Sequence, residues 1–257
     1  MFLDVNGTQL HYLSEGEGPT IVLLHGLGGT SGVWRGVMDT LTTNHHVVAI
    51  DLRGHGRSAP ILKPVTIRDF ADDVLALLDA LELPAVTLVG HSFASLIAQM
   101  AAAVRPSSID NLVLVGAMSW LDPDARDAYI DRAELVEQEG LDSIADAWIA
   151  SALAPRTHAH SPQLSGLTRE MLERNDPASY AHACRAIAKY QPIAHEDLGQ
   201  PTLLLVGDHD RSTPVAMSEE LHAAIPVTRI EVIPSAAHWA MLDQPDWISA
   251  KMMTWLL

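Results

Sequence analysis

Short continuous runs rich in Val, Ile and Leu recur along this chain at residues 20–24, 47–50, 86–89, 112–115 and 202–206, and Arg229-Ile230-Glu231-Val232-Ile233 reads as a further strand interrupted by two charges. An unbroken apolar run of this length is expected where a strand is covered on both faces. Helix-forming stretches separate the runs. In one of them Phe70, Val74, Leu77, Leu78 and Leu81 fall at i, i+4, i+7, i+8 and i+11, a single apolar stripe. Buried strands alternating with amphipathic helices imply an α/β fold, a mostly parallel central sheet with helices on both faces. Residues 2–6 and 9–13 flank Asn6-Gly7, which predicts a hairpin at the start.

The strand signal stops between residues 117 and 196. Asp122-Pro123 is an N-cap followed by proline at the first helical position, and Gly140 closes that helix. Asp142 begins a second helix carrying Ile144 and Trp148. Asp176-Pro177 begins a third, with Tyr180, Cys184 and Ile187 on one face. Both flanks rejoin strands, so residues 118–195 are expected to be a helical lid inserted into a core made of 1–117 and 196–257. The remaining helices are expected after residue 92, near 214–225 and from Pro245.

Charge and composition exclude several classes of function. The formal net charge is −16, and no basic stripe is present to bind nucleic acid. No apolar run approaches the length of a membrane span. The N-terminal residues lack a basic region followed by an apolar one, so no signal peptide is expected. The single cysteine, Cys184, rules out an internal disulfide framework and a cysteine metal cluster. The 13 histidines lack carboxylate partners at ligand spacing, so neither a metal nor another cofactor is expected. A cytoplasmic protein acting on a small molecule fits these features.

The chemistry centres on Gly90-His91-Ser92-Phe93-Ala94, lodged between strand 86–89 and a long helical stretch. A serine at a tight strand-to-helix corner is pushed outward, and the residues two before and two after it must be small. Attack by such a serine on a carbonyl needs a base, an acid to orient the base, and donors for the developing oxyanion. His238 follows strand 229–233 in the small-residue loop Ser235-Ala236-Ala237-His238-Trp239, and is the candidate base. The loop after strand 202–206 offers Asp208 and Asp210. Asp210 lies farther into the loop and is the candidate acid, with Asp208 expected to brace the turn. The glycine-rich run His25-Gly26-Leu27-Gly28-Gly29 allows close backbone approach, so the N–H groups of Leu27 and Phe93 are the candidate oxyanion donors. A phosphate cradle is excluded because no lysine follows these glycines.

Together these motifs, with Asp51-Leu52-Arg53-Gly54-His55-Gly56-Arg57-Ser58 and the order Ser92, Asp210, His238, resemble the α/β-hydrolase fold superfamily over essentially the whole chain. The resemblance implies Ser92 as nucleophile, His238 as general base and then acid, and Asp210 as the group that fixes the imidazole tautomer. Haloalkane dehalogenases and epoxide hydrolases of this fold use an aspartate nucleophile, so Ser92 points instead to carbonyl chemistry. The stretches around 133–148 and 177–187 resemble the lid of 3-oxoadipate enol-lactonases and related esterases. Those enzymes usually carry Ser-Met-Gly-Gly where this chain has Ser92-Phe93-Ala94-Ser95. His238-Trp239 is similar to the meta-cleavage-product C–C hydrolases.

The expected activity is therefore hydrolysis of a carboxylic ester or lactone. C–C cleavage of a vinylogous 1,5-diketone and a non-catalytic, receptor-like binding role are the alternatives. An apolar lid suggests a largely apolar substrate, with Gly26, Met118, Trp148 and Trp239, together with Phe93, as candidate pocket residues. Arg126, Arg132, Arg185 and Lys189 are the basic side chains of that segment able to meet a substrate carboxylate. The choice between the two aspartates is testable by kinetics. Asp210→Asn is expected to lower kcat by about four orders of magnitude, and a larger loss in Asp208→Asn would reverse the assignment.

Overall fold

The computed structural model describes residues 1–256. Eight strands form one sheet in the order β1-β2-β4-β3-β5-β6-β7-β8. They are β1 Phe2–Val5, β2 Thr8–Glu15, β3 Thr20–Leu24, β4 His46–Asp51, β5 Val86–His91, β6 Ile109–Val115, β7 Thr202–Gly207 and β8 Thr228–Ile233. β2 runs antiparallel to both its neighbours, and every pair from β4 through β8 is parallel. The expected hairpin turns at Asn6-Gly7, where both residues have positive φ.

Alternation along each strand divides the core between the two faces of the sheet. Val22, Leu24, Val48, Ile50 and Leu88 share one cluster with buried residues of α2 Ile67–Ala80 and α3 Phe93–Val104. Ile21, Leu23, Val47, Ala49 and Val89 share the other with α1 Arg35–Leu41 and with α11 Pro245–Trp255. The stripe read from the sequence of α2 is buried at Phe70, Val74, Leu77 and Leu78. Its first turn is closed by a capping box between Thr66 and Asp69.

Five helices lie between β6 and β7: α4 Pro123–Glu139, α5 Asp142–Ala152, α6 Pro155–His160, α7 Pro162–Glu173 and α8 Pro177–Ala188. Two of them, α6 and α7, are additions to the three expected from sequence. α6 buries no side chain and α7 buries only Thr168, Met171 and Leu172, so neither shows an apolar stripe of useful length. Asp142 occupies the first helical position of α5, and the cap position belongs to Leu141. The chain then continues through β7, α9 Val215–Ala224, β8, the short α10 Ala240–Asp243 and α11. Among the described residues, no helix is long and apolar enough to cross a membrane.

At the end of β4, Asp51 ties three segments together. Its carboxylate accepts the backbone N–H of Ser31 at 2.6 Å and of Arg57 at 3.0 Å, and bonds His11 Nδ1 at 2.8 Å. Gly56 is required beside it, because φ is +56° and a Cβ there would lie 2.5 Å from the Asp51 carboxyl carbon. Through Ser31 this clip anchors the far end of the loop that follows β3. Asp51→Ala removes the acceptor of the buried Ser31 N–H, at about 1–3 kcal/mol, and of the partly buried Arg57 N–H, and deprives the buried His11 of its partner. Urea unfolding is expected to show a lower midpoint with a loss of several kcal/mol, and a midpoint unchanged from wild type would refute the clip.

Candidate active site

Ser92 sits between the last residue of β5 and the first residue of α3, with φ +53° and ψ −122°. A non-glycine residue held there costs on the order of 1–3 kcal/mol. Its backbone N–H donates to Val115 O at 2.9 Å, which ties the corner to the end of β6. A Cβ at Gly90 would lie 2.4 Å from Ala94 O, so the turn is as tight as the small-residue spacing implied. Ala94 is wholly buried, and its methyl is accommodated in the core.

His238 comes from the loop after β8. Its Nε2 lies 2.8 Å from Ser92 Oγ, and its Nδ1 lies 2.9 and 3.1 Å from the two oxygens of Asp210. An ionised carboxylate only accepts, so Nδ1 carries the proton and Nε2 is left to accept from the serine hydroxyl. Asp210 is itself held from three sides. Ser212 and Thr213 each donate a backbone N–H to Oδ1 at 2.9 Å, and Thr213 Oγ1 donates to Oδ2 at 2.8 Å. Burial pushes the Asp210 carboxyl up, but His238 and the Thr213 donors outweigh it and hold the group below its ordinary value. Asp208 lies outside this chain of hydrogen bonds and accepts the backbone N–H of Ala236 at 3.2 Å.

Two supporting residues are not singled out by the sequence. His91 is wholly buried, and its Nε2 donates to the backbone carbonyl of His238 at 2.8 Å, joining residues 147 apart in the chain. Gly116, which follows β6 and has φ +52°, leaves room for the acid and base. A Cβ there would lie 3.1 Å from Asp210 Oδ2 and 3.4 Å from His238 Nδ1. The positive φ demanded at Gly116 carries no motif of its own, and the His91 contact depends on the completed sheet.

The loop at 25–29 covers the corner. A Cβ at Gly26 would stand 3.2 Å from the Ser92 Cβ and 2.6 Å from His91 Nδ1. Among the described residues, the N–H groups of Leu27 and Phe93 donate to no protein acceptor. They are therefore two unpaired donors, one on the loop over Ser92 and one on the residue after it. Ser92, His238 and Leu27 open onto a cavity of about 730 Å³, walled on the other side by α4 and α5 through Tyr129, Arg132 and Trp148. Trp239 also lines it.

Three expected pocket residues lie elsewhere. Gly26, within the loop, packs directly against His91 and Ser92 at the corner. Met118 is held in the core, its N–H bonded to Ser95 Oγ and its carbonyl to Gln99 Nε2. The Phe93 ring faces inward, edge-on to Phe70 at 5.1 Å, because the first turn of α3 directs it away from the Ser92 hydroxyl.

Three further imidazoles are buried around the site. Burial lowers His25, His91 and His55, the last to about 3. His25 accepts the N–H of Leu52 through Nε2 at 3.0 Å, which fixes its neutral tautomer with Nδ1 toward Gly26 O. Among the described residues, no cluster of three or more His, Cys, Asp or Glu side chains is arranged to hold a metal ion.

Comparison with known proteins agrees with this architecture. A protein-family model described as "alpha/beta hydrolase fold" matches residues 19–245. The (E)-2-((N-methylformamido)methylene)succinate hydrolase of Acinetobacter baylyi is 28% identical over 98% of this chain and 95% of its own length. The crystal structure of the enol-lactonase from Burkholderia xenovorans superposes with a TM-score of 0.94 at 27% identity, covering 100% of this chain and 99% of that one. A thermophilic esterase from Thermogutta terrifontis, solved with malate bound, gives a TM-score of 0.93 at 27% identity over 99% of this chain and 96% of its own.

The neutral histidines set a pH dependence. Their folded pKa values lie below the unfolded value of about 6.5, so the stability they support is complete above that pH and is lost as pH falls below it. Each contributes a slope of up to about 1.4 kcal/mol per pH unit in that window. Urea unfolding free energy is therefore expected to drop steeply between about pH 6.5 and 5, with a shallower slope in His55→Gln. A flat profile in both proteins would contradict the assignment.

Proposed function

This chain belongs to the α/β-hydrolase fold family, and we propose that it is a serine hydrolase cleaving a carboxylic ester or lactone through an acyl-enzyme on Ser92. The observation that carries this reading is the continuous hydrogen-bonded chain from Ser92 Oγ through His238 to Asp210. That its relatives are hydrolases, an enol-lactonase and an esterase by name, supports the same class.

In this reaction the Ser92 Oγ–H gives its proton to His238 Nε2 as the oxygen attacks the carbonyl carbon. The imidazolium that results is stabilised by the Asp210 carboxylate on Nδ1. The tetrahedral oxygen takes its donors from the Leu27 and Phe93 N–H groups, which have no other partner to give up. His238 then returns the proton to the leaving alkoxide. A water activated by the same nitrogen cleaves the acyl-serine and restores the hydroxyl. Residues 118–195 act as a lid over a core formed by 1–117 and 196–257, with α4 and α5 forming the roof of the substrate chamber. Ser92 is only 7% exposed, so bulk water reaches it chiefly through that chamber.

A fluorophosphonate probe is expected to label the wild-type protein stoichiometrically and to leave Ser92→Ala unlabelled. A panel of nitrophenyl esters, lactones and a vinylogous 1,5-diketone then defines the bond broken. Turnover of esters or lactones, abolished in both Ser92→Ala and His238→Ala, is the expected result. Cleavage of the diketone alone would replace the ester reading with C–C hydrolysis, and absence of labelling would leave a binding protein.

A further inference from the structure

Four basic side chains of the inserted helices could meet a negatively charged substrate, and their surroundings separate them. Arg126 donates to the backbone carbonyls of Leu121 at 3.0 Å and Ala188 at 2.7 Å. Arg185 is engaged by Glu137 in a two-pronged pair at 2.6 Å. Lys189 caps the end of α8 and does not line the cavity. Arg132 alone of the four lines the chamber that holds Ser92 and His238.

On α4 the exposed Asp131 lines the cavity, and so do Ala125, Ala128, Tyr129, Arg132 and Leu135. The three- and four-residue spacing of the last five puts them on one side of the helix. On that stripe Arg132 is partly buried, and among the described residues its guanidinium forms no ion pair with Asp131 or any other acid. It lies over the Tyr129 ring, 5.3 Å from the centroid. The ionisable groups that act on it are Tyr180, Tyr129 and Cys184. Burial raises all three, Cys184 to about 12, so each is neutral at pH 7 and none supplies an anion.

A guanidinium is never neutral at physiological pH, and a partly desolvated one without a counter-ion is costly. In a chain of net charge −16, with 32 acidic residues against 16 basic, an arginine left without a carboxylate is free to take one from a ligand. We propose that Arg132 is the carboxylate-binding residue of the Ser92 chamber, so that the preferred substrates are esters or lactones bearing a free carboxylate. The proposal rests on the reading of Ser92 as the nucleophile of this same chamber. It also revises the expectation of a largely apolar substrate: within a mostly apolar wall Arg132 is the partly buried cation, while Arg211 and Asp131 are exposed. The planar fork accepts the two carboxylate oxygens side by side and thereby orients the carbonyl to be cleaved.

The test compares two esters that differ in one charge, 4-nitrophenyl hydrogen glutarate and its neutral methyl ester, 4-nitrophenyl methyl glutarate. The wild-type ratio of kcat/KM is expected to favour the anion. Arg132→Met should lower that ratio by at least about tenfold, the scale of one charge-assisted hydrogen bond, mainly through KM. Arg132→Lys should recover part of it, since the charge is kept and the fork is lost. A ratio within about twofold of wild type in Arg132→Met would overturn the proposal, being well short of one such bond.

A calorimetric titration with glutarate separates this proposal from the hydrolase reading. Ser92→Ala is expected to bind glutarate at least about tenfold more tightly than Ser92→Ala combined with Arg132→Met. Equal affinities would sink the Arg132 assignment even in an active hydrolase. Conversely, a wild-type protein that cleaves neither ester but loses glutarate affinity with Arg132→Met would keep the carboxylate site and reject the serine chemistry.

Discussion

The hydrogen bond between His238 Nε2 and Ser92 Oγ is the contact that organises the site. It joins residues 146 apart in sequence, and neither partner could reach the other without the sheet. Ser92 leaves β5, Asp210 leaves β7 and His238 leaves β8, so the parallel arrangement of these strands delivers all three side chains to one end of the sheet. Between β5 and β7 lies β6, and Gly116, the residue that follows it, keeps the space between acid and base open. The strained backbone of Ser92 belongs to the same arrangement, since a nucleophile on a rigid corner must be held there by its neighbours.

Much of this is legible in the sequence, because the signals are local. Each buried strand is a continuous apolar run, α4 and α8 begin at an aspartate followed by proline, and the elbow needs small residues at fixed offsets. The two aspartates after β7 mark where that legibility ends. Position in the loop favours Asp210, but what distinguishes the residues physically is the set of donors from Ser212 and Thr213 converging on one carboxylate, while Asp208 turns to Ala236. The direction of a loop side chain is a property of the folded loop. The same reason hides the inward rotation of Phe93 and the burial of Met118, which as apolar residues near a serine read equally well as core or as wall.

Long-range partnerships are hidden in a different way. The bond from His91 to the His238 carbonyl is set by packing of two loops from separate strands, and His91 reads in sequence only as the residue before a serine. Arg132 and Arg185 look alike on their helices, yet Arg185 finds Glu137 across 48 residues and Arg132 finds no acidic partner. Charge that is neutralised in the fold serves the fold. Charge left over inside a chamber is available to a ligand, and this separates a structural arginine from a recognition arginine.

Every part of this site serves one event, the covalent acylation of Ser92 with His238 taking the proton. Rapid-quench mass spectrometry of the protein mixed with an ester it cleaves observes that event itself. A transient mass increase equal to the acyl group is expected, mapped to the peptide containing Ser92 and decaying as product accumulates. Turnover with no acyl adduct at any time point, or an adduct on another residue, would refute the assignment of Ser92 as nucleophile.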